Sequence, residues 1–355
     1  MKILYVVTGL GLGGAEKVVV DLADQMLERG HEVKIIYLRG NPEVKPRSNR
    51  IELIGLCFEN PIDFFNAFKK LNETIRYFQP DIVHSHMIHS NIFVRLSRIG
   101  SSHIKKLICT AHNSNEGGRI RMLAYRLTNF LSDVNTNVSN DASEALIAKG
   151  AFSKNNLQTV YNGVDLNKFK NKNIKNDKCY TKILSVGRFN EQKDYPNLLK
   201  AILLLKDKLL NTNIKFYIAG DGELRGLIEN LIHSYDIGSF IKLLGKRSDI
   251  PDLLNEADFF ILPSKHEGLP TVIIEAMACQ TYVIATDCGG SAEIMGETGM
   301  LVPVQDSLAL ANAISRALSL SDLTIQKNNL IARKRIEDNF SLQASVNKWL
   351  ELYAN

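Results

Sequence analysis

A run of short apolar segments alternating with amphipathic ones begins at Ile3, breaks off near residue 165 and begins again at Ile183. No other feature limits the possible folds of this chain so strongly. Ile3–Thr8, Val33–Leu38, Ile82–His84, Leu107–Thr110 and Val134–Val138 have the length and composition of buried strands. Between them, Ala15–Arg29, Ile62–Phe78, Ile88–Ile99, Arg119–Leu131 and Asp141–Lys149 carry helical spacing. Strands alternating with helices imply right-handed crossovers and a parallel sheet covered on both faces. The second series opens with Lys182-Ile183-Leu184, an echo of Lys2-Ile3-Leu4. It continues at Ile214–Ala219, Phe240–Leu244, Phe259–Leu262, Tyr282–Ala285 and Met300–Val302. Turn chemistry at Asn162-Gly163-Val164-Asp165 and a polar stretch over Asn167–Lys178 place the linker between the two series. The expected class is α/β, two facing Rossmann-like domains with a ligand cleft at the carboxyl ends of their strands.

Composition narrows the function. The chain has 355 residues, enough for two domains at roughly 150 each. With 45% hydrophobic and 23% charged residues it is neither disordered nor of low complexity. A net charge of +5 is too small for wholesale nucleic-acid binding but permits a local basic patch. Five cysteines, none at Cys-x-x-Cys spacing, argue against a disulfide framework or zinc site and fit a reducing compartment. No apolar run approaches the roughly 18 residues needed to span a bilayer. The opening Lys2 and Ile3–Val7, followed by glycines and charges, read as a first strand and its loop rather than an export signal.

Three loops can carry chemistry. Gly9, Gly11 and Gly14 formally match Gly-x-Gly-x-x-Gly between a strand and a helix, where backbone can approach a phosphate. The acidic residue that a dinucleotide site wants after the second strand is missing, since that strand ends at Leu38-Arg39-Gly40. A tight turn without ligand stays open at this point. Arg188 and Lys193, in Gly187-Arg188-Phe189-Asn190-Glu191-Gln192-Lys193, could clamp a diphosphate or form a solvated basic loop. Glu267-Gly268-Leu269-Pro270 leads into a helix whose first turn can receive an anion, and Glu275 lies two turns on. Val272, Ile273, Ile274, Ala276 and Met277 make that helix largely buried, and a buried carboxylate needs partners.

In these loops the chain resembles glycosyltransferase family 4, the retaining, nucleotide-sugar-dependent enzymes of the GT-B fold. Gly13-Gly14-Ala15-Glu16, Gly187-Arg188 with Lys193, Gly220-Asp221-Gly222 and Glu267-Gly268-Leu269-Pro270 leading to Glu275 stand in family order over nearly the whole chain. The resemblance implies that Arg188 and Lys193 hold the donor diphosphate, that Glu275 binds the ribose and that Glu267 contacts the donor sugar. It places backbone at Gly268 and Leu269 near sugar and phosphates, Gly13 and Gly14 opposite the diphosphate, and Gly220–Gly222 with Lys246 and Arg247 around the base. His112, in Thr110-Ala111-His112-Asn113, stands where the family often has an active-site histidine. Asp194 departs from the glycine that many relatives carry after the lysine. The implied domains are 1–165 for the acceptor and 166–338 for the nucleotide sugar, with a final segment, 339–355, crossing back to the first.

His84 and His86 tempt a metal reading, but residues at i and i+2 on one strand seldom close a site without further ligands. No Asp-x-Asp occurs, so a metal-independent enzyme without cofactor is expected, with Arg188 and Lys193 in place of the cation. Competing readings are another GT-B enzyme, such as a nucleotide-sugar 2-epimerase, and a non-catalytic nucleotide-sugar-binding protein. Arg95 and Arg98 on one helix, and Arg119, Arg121 and Arg126 on another, sit beside apolar residues. Such faces can hold a protein at an anionic bilayer, or be ordinary solvated helix faces. The expected partners are therefore a UDP-hexose or UDP-N-acetylhexosamine, a lipid-linked glycan acceptor of bacterial envelope polysaccharide assembly, and an anionic membrane surface. The expected location is cytoplasmic, peripheral at the inner face of the membrane.

Overall fold

The computed structural model describes residues 1–100, 103–114, 117–172 and 180–354. Residues 173–178 of the expected linker, and Cys179, lie outside the described residues. The chain divides into two units, Met1–Gly163 with Leu342–Asn355, and Val164–Ser341. The second unit begins slightly before and ends slightly after the 166–338 span read from sequence. Val164 and Ser341 form a short parallel bridge, and the Val164 N–H donates to the Phe340 carbonyl at 3.0 Å. That bridge ties the entering and leaving segments to the second unit.

The first unit has seven parallel strands: β1 (Lys2–Val7), β2 (Glu32–Tyr37), β3 (Glu52–Gly55), β4 (Ile82–His86), β5 (Leu107–Ala111), β6 (Val134–Asn137) and β7 (Gln158–Thr159). Their order is β3-β2-β1-β4-β5-β6-β7. Alternation along β1 supplies both cores. Ile3, Tyr5 and Val7 pack with Val346, Trp349 and Tyr353 of the last helix, Leu342–Ala354. Leu4 and Val6 face the other way, onto Leu71, Ile75 and Phe93. Trp349 is 2% exposed, so that helix completes the unit's core.

The second unit has six parallel strands: β8 (Thr181–Val186), β9 (Ile214–Ala219), β10 (Ile241–Gly245), β11 (Phe259–Leu262), β12 (Tyr282–Thr286) and β13 (Met300–Val302). Their order is β10-β9-β8-β11-β12-β13. Ile183, Phe216, Ile218, Ile261 and Ile284 of its strands pack with Leu198, Ile202, Ile228 and Ile314 of its helices. In each unit the strand order reverses beside the first strand, between β1 and β4 and between β8 and β11. At such a reversal the following loops diverge and leave a crevice.

Candidate functional site

In the second unit, the loops after β8 and β11 leave the sheet on either side of that reversal. The β8 loop turns sharply. The Asn190 side chain accepts the Lys193 N–H at 3.1 Å and closes the short turn Glu191–Lys193. Asp194 then adopts a left-handed φ of 45° before the helix Tyr195–Leu204. Glycine would take that conformation without strain, and Asp is one of the few other residues that visit it. Asp194 is buried, and burial raises its carboxyl above the usual range.

Two contacts clip this turn to the β11 loop. The Lys265 N–H donates to the Gln192 carbonyl at 2.8 Å. The Lys193 ammonium donates to Glu267 Oε1 at 2.5 Å. The Ser264 hydroxyl reaches the same oxygen at 2.6 Å, and Gln192 Nε2 lies 3.4 Å from Oε2. Glu267 is 6% exposed, so a carboxylate that would be costly to bury alone is compensated by charge and hydrogen bonds. The β12 loop supports this from behind. The Thr286 hydroxyl donates to the Ser264 carbonyl at 2.6 Å, and the Cys288 thiol to the same atom at 3.3 Å. Burial, with the Glu267 charge, pushes the Cys288 thiol up to about 12, so it stays a donor. A Cβ on Gly289, at φ +54°, would fall 2.3 Å from the Glu267 carbonyl oxygen, and the Gly290 N–H donates to the Gly268 carbonyl at 2.8 Å. Nothing in the sequence marked Ser264, Thr286, Cys288, Gly289 or Gly290. The signal that could have found them is the Gly289-Gly290 pair shortly after the strand Tyr282–Thr286, since paired glycines permit a close backbone approach.

Around this pair, Gly187 packs on the Lys193 side chain, where a Cβ would approach Cγ and Cδ to 3.3 Å. Gly220 admits no side chain, since a Cβ would sit 1.9 Å from the Gly187 carbonyl oxygen. A Cβ on Gly222 would lie 2.4 Å from the Phe189 carbonyl oxygen. The β8 and β9 loops therefore lie backbone against backbone. Asp221 accepts the Gly222 N–H at 2.9 Å and lies 3.6 Å from Arg225. Arg188 projects outward with its side chain 70% exposed, 3.6 Å from Glu223. Lys246 and Arg247 follow Gly245, whose carbonyl accepts the Gly220 N–H, and Arg247 donates to Asp249 at 2.8 Å. Leu269 is buried, and Pro270 caps the helix Thr271–Ala278, on which Glu275 is 6% exposed. Lys193 thus meets Glu267 and Gly187 directly, Gly268 follows Glu267 in the chain, Gly220 and Gly222 pack on the β8 loop, and Lys246 and Arg247 follow the Gly245 carbonyl that holds Gly220. Arg188 stands apart as an exposed cation.

The remaining candidates lie in the first unit. The helix Gly14–Glu28 begins beside Gly13, where a Cβ would collide with the Glu16 carboxylate at 2.1 Å. His112 follows β5, and its Nε2 is hydrogen-bonded to Nδ1 of His86, at the end of β4, at 2.9 Å. His84 and His86 share a face of β4, with ring centroids 4.0 Å apart. His84 Nδ1 bonds the Tyr353 hydroxyl and Nε2 the Thr110 hydroxyl, both at 2.7 Å. Burial holds His84 and His86 well below the usual histidine range and lowers His112 to about 4, so all three are neutral at physiological pH. Among the described residues, no group of three or more His, Cys, Asp or Glu could hold a metal ion.

The five arginines divide sharply, and two of them correct the surface reading. Arg95 is wholly buried. Its guanidinium bonds Asn135 and the Thr128 hydroxyl and lies over the Tyr125 ring at 5.2 Å. Arg98 donates to the Leu131 carbonyl at 3.0 Å and lies 2.8 Å from Asp133. Both are struts from the helix Ile88–Ile99, Arg95 in the interior and Arg98 partly exposed, a role suited to a planar guanidinium that stacks and forks its bonds. Arg119, Arg121 and Arg126 are exposed on the helix Arg119–Thr128. That helix buries Met122 and Tyr125 and exposes Ile120 (85%), Leu123 (53%), Leu127 (63%) and, just beyond its end, Phe130 (80%). At helical spacing these four form one stripe, which Arg119 and Arg126 border, while Arg121 falls on another side.

Comparison with known proteins adds the following. Residues 166–336 match the family described as Glycosyl transferases group 1, and residues 12–168 match Glycosyltransferase Family 4. A Campylobacter jejuni protein named GalNAc-alpha-(1->4)-GalNAc-alpha-(1->3)-diNAcBac-PP-undecaprenol alpha-1,4-N-acetyl-D-galactosaminyltransferase is 29% identical over 100% of this chain and 98% of its own. An Escherichia coli UDP-Gal:alpha-D-GlcNAc-diphosphoundecaprenol alpha-1,3-galactosyltransferase is 27% identical, over 77% of this chain and 75% of its own. Among solved structures, Anabaena HepE in complex with UDP and glucose superposes with a TM-score of 0.85 at 18% identity, covering 100% of both chains.

Proposed function

The chain belongs to the group 1 glycosyltransferases of the GT-B fold, and from that membership we propose that it moves a hexose or N-acetylhexosamine from a UDP-sugar onto a lipid-diphosphate-linked glycan, with retention at the anomeric carbon. The observation that carries the reading is the Lys193–Glu267 pair, held 2.5 Å apart between the two loops at the strand reversal of the second unit. The relatives' names supply the substrate class, since two of them act on undecaprenol-linked diphosphates and one uses UDP-galactose.

In such a transfer the departing nucleoside diphosphate gains negative charge while the sugar becomes oxocarbenium-like. Preorganised cations and N–H donors at the leaving group lower the barrier. Lys193, fixed by Asn190 and Glu267, is the preorganised cation, and exposed Arg188 is the second, folding onto the diphosphate by a forked contact. Glu267 holds the lysine and accepts from sugar hydroxyls, Glu275 accepts from the ribose, and the first turn of Thr271–Ala278 receives phosphate oxygens. His112 contributes a hydrogen bond to the transferred sugar. With the leaving-group charge met by side chains, the enzyme needs no metal. The leaving phosphate helps deprotonate the acceptor hydroxyl on the same face of the sugar.

The acceptor's lipid implies work at a membrane surface. Among the described residues no helix is long and apolar enough to cross a membrane. The exposed stripe Ile120, Leu123, Leu127 and Phe130, bordered by Arg119 and Arg126, fits peripheral docking to anionic lipid at the cytoplasmic face. The deciding experiment follows UDP release from a panel of UDP-sugars, with and without an undecaprenyl-diphosphate-linked acceptor, in chelator. The reading expects release that needs acceptor and survives chelation. Turnover without acceptor would point to an epimerase. Abolition by chelator with rescue by magnesium or manganese would remove the metal-free mechanism.

A further inference from the structure

The mechanism above leaves His86 unused. It lies 1% exposed at the carboxyl end of β4, packed 4.0 Å from the His84 ring and 5.9 Å from the Tyr5 ring, with Nδ1 2.9 Å from Nε2 of His112. Its other nitrogen, Nε2, has no hydrogen-bond partner among the described residues. A neutral imidazole carries one proton, so two arrangements are available. With the proton on Nε2, a buried N–H would have no acceptor. With the proton on Nδ1, only a lone pair is left without a partner, and the N–H is spent on His112. Orphaned buried N–H groups are the rarer and costlier case, so the second arrangement wins.

We infer that His86 is a positioning residue for His112: its Nδ1–H donates to Nε2 of His112 and fixes that ring as the Nδ1-protonated tautomer. The consequence is chemical. With Nε2 occupied as an acceptor, the remaining ring nitrogen of His112 can only donate. Whatever Nδ1 of His112 meets, it meets as a donor, so His112 does not serve as the base that takes the acceptor's proton. The bearing of this on the transfer rests on the proposed placement of His112 at the transferred sugar, while the tautomer stands on the geometry of His86. His84 completes the support. Both its nitrogens are engaged, by Tyr353 and Thr110, so its ring cannot turn to offer His86 an acceptor.

The tautomer is read directly by long-range proton–nitrogen correlation on the full chain labelled at histidine with nitrogen-15. His112, assigned by its loss in His112→Gln, is expected to show a pyrrole-type Nδ1 and a pyridine-type Nε2. The reverse pattern in the wild type would overturn the inference, whatever the variants do. In His86→Asn, whose amide can place an N–H near the former Nδ1, the pattern is expected to persist. In His86→Phe, which keeps a ring without a donor, His112 is expected to shift toward the Nε2-protonated form favoured by free imidazole in water. That variant is also expected to lose about 10- to 100-fold in kcat, the range for lost supporting hydrogen bonds at metal-bound histidines, with donor KM within about twofold. An unchanged tautomer in a folded His86→Phe would equally overturn the inference. If His112→Gln turns over normally while the wild-type tautomer is as stated, the placement of His112 at the sugar fails and the His86 contact stands.

Discussion

Lys193 and Glu267, 74 residues apart in sequence, share a hydrogen bond of 2.5 Å whose carboxylate oxygen also takes the Ser264 hydroxyl. Lys193 is thus fixed in place by a carboxylate rather than left as a mobile surface lysine. Lys193 is 18% exposed at its side chain and Glu267 7%, so solvent weakens the pair only partly.

Lys193→Ala leaves the buried Glu267 carboxylate with one charge partner fewer. We expect kcat/KM to fall by two to three orders of magnitude and stability by about 2–3 kcal/mol, below the full cost of breaking a wholly buried pair. Adding Glu267→Gln should return part of the stability and none of the activity. A double-mutant cycle by denaturant unfolding checks this, and a coupling energy below about 0.5 kcal/mol would mean the contact is incidental.

Glu275→Gln keeps the size of a residue that is 6% exposed on the helix Thr271–Ala278. Losing a charge-assisted acceptor for the ribose should weaken UDP binding by roughly tenfold. Titration calorimetry measures this, with Arg247→Ala, on an exposed residue paired to Asp249, as the milder comparison.

The neutral His84, His86 and His112 make stability pH-dependent. Their folded-state values lie below the unfolded one, so the unfolded chain binds more protons between them. Stability is fully present above about pH 6.5 and declines as pH falls toward 4, where His112 titrates in the fold. For His112 this amounts to on the order of 1–3 kcal/mol, or several degrees in the melting temperature of a unit this size. His112→Gln should flatten that acid slope, and an unchanged slope would contradict the buried neutral state.

Membrane docking is tested by the apolar stripe and its arginine border separately. Ile120→Ser with Phe130→Ser should weaken sedimentation with vesicles of any charge. Arg119→Glu with Arg126→Glu should weaken it for anionic vesicles only, at roughly 1 kcal/mol per charge lost from the surface. Arg121→Glu alone should matter less, because it falls off the stripe. Binding to anionic vesicles that is identical in all variants would reduce the stripe to an ordinary helix face.

The parallel strands with continuous apolar runs were legible in the sequence, because strands buried on both faces need every side chain. β3 and β7 were not. Glu52–Gly55 has a single apolar pair, and Gln158–Thr159 has only two residues, so neither presents a period to read. Lys193 and Glu267 were legible through their spacing within loops, but their mutual contact was not, since it joins loops from two strands. Ser264, Thr286 and Cys288 escaped notice because small polar residues after strands are ordinary and reveal a role only when their partner is known. Arg95 misled for the opposite reason. A charge on an amphipathic helix is expected to face water, and only the fold shows that Asn135, Thr128 and the Tyr125 ring wait for it on the buried side. His84 and His86 were noticed as a pair for a metal, whereas their partners, Tyr353, Thr110 and His112, lie on other elements.

The last helix bears on how the protein is made. All seven strands of the first unit lie in Met1–Gly163, yet the cover of Ile3, Tyr5 and Val7 is completed only when Val346, Trp349 and Tyr353 arrive with Leu342–Ala354. A ribosome must therefore deliver the entire second unit before the first can close fully over its own sheet, a delay on the order of ten seconds or more at ordinary rates of synthesis. Throughout that interval an apolar surface meant for Trp349 and Tyr353 stands open on a nascent chain. The first unit is thus the natural client for a chaperone during synthesis, and the second, uninterrupted in sequence, is the part that can fold as it emerges.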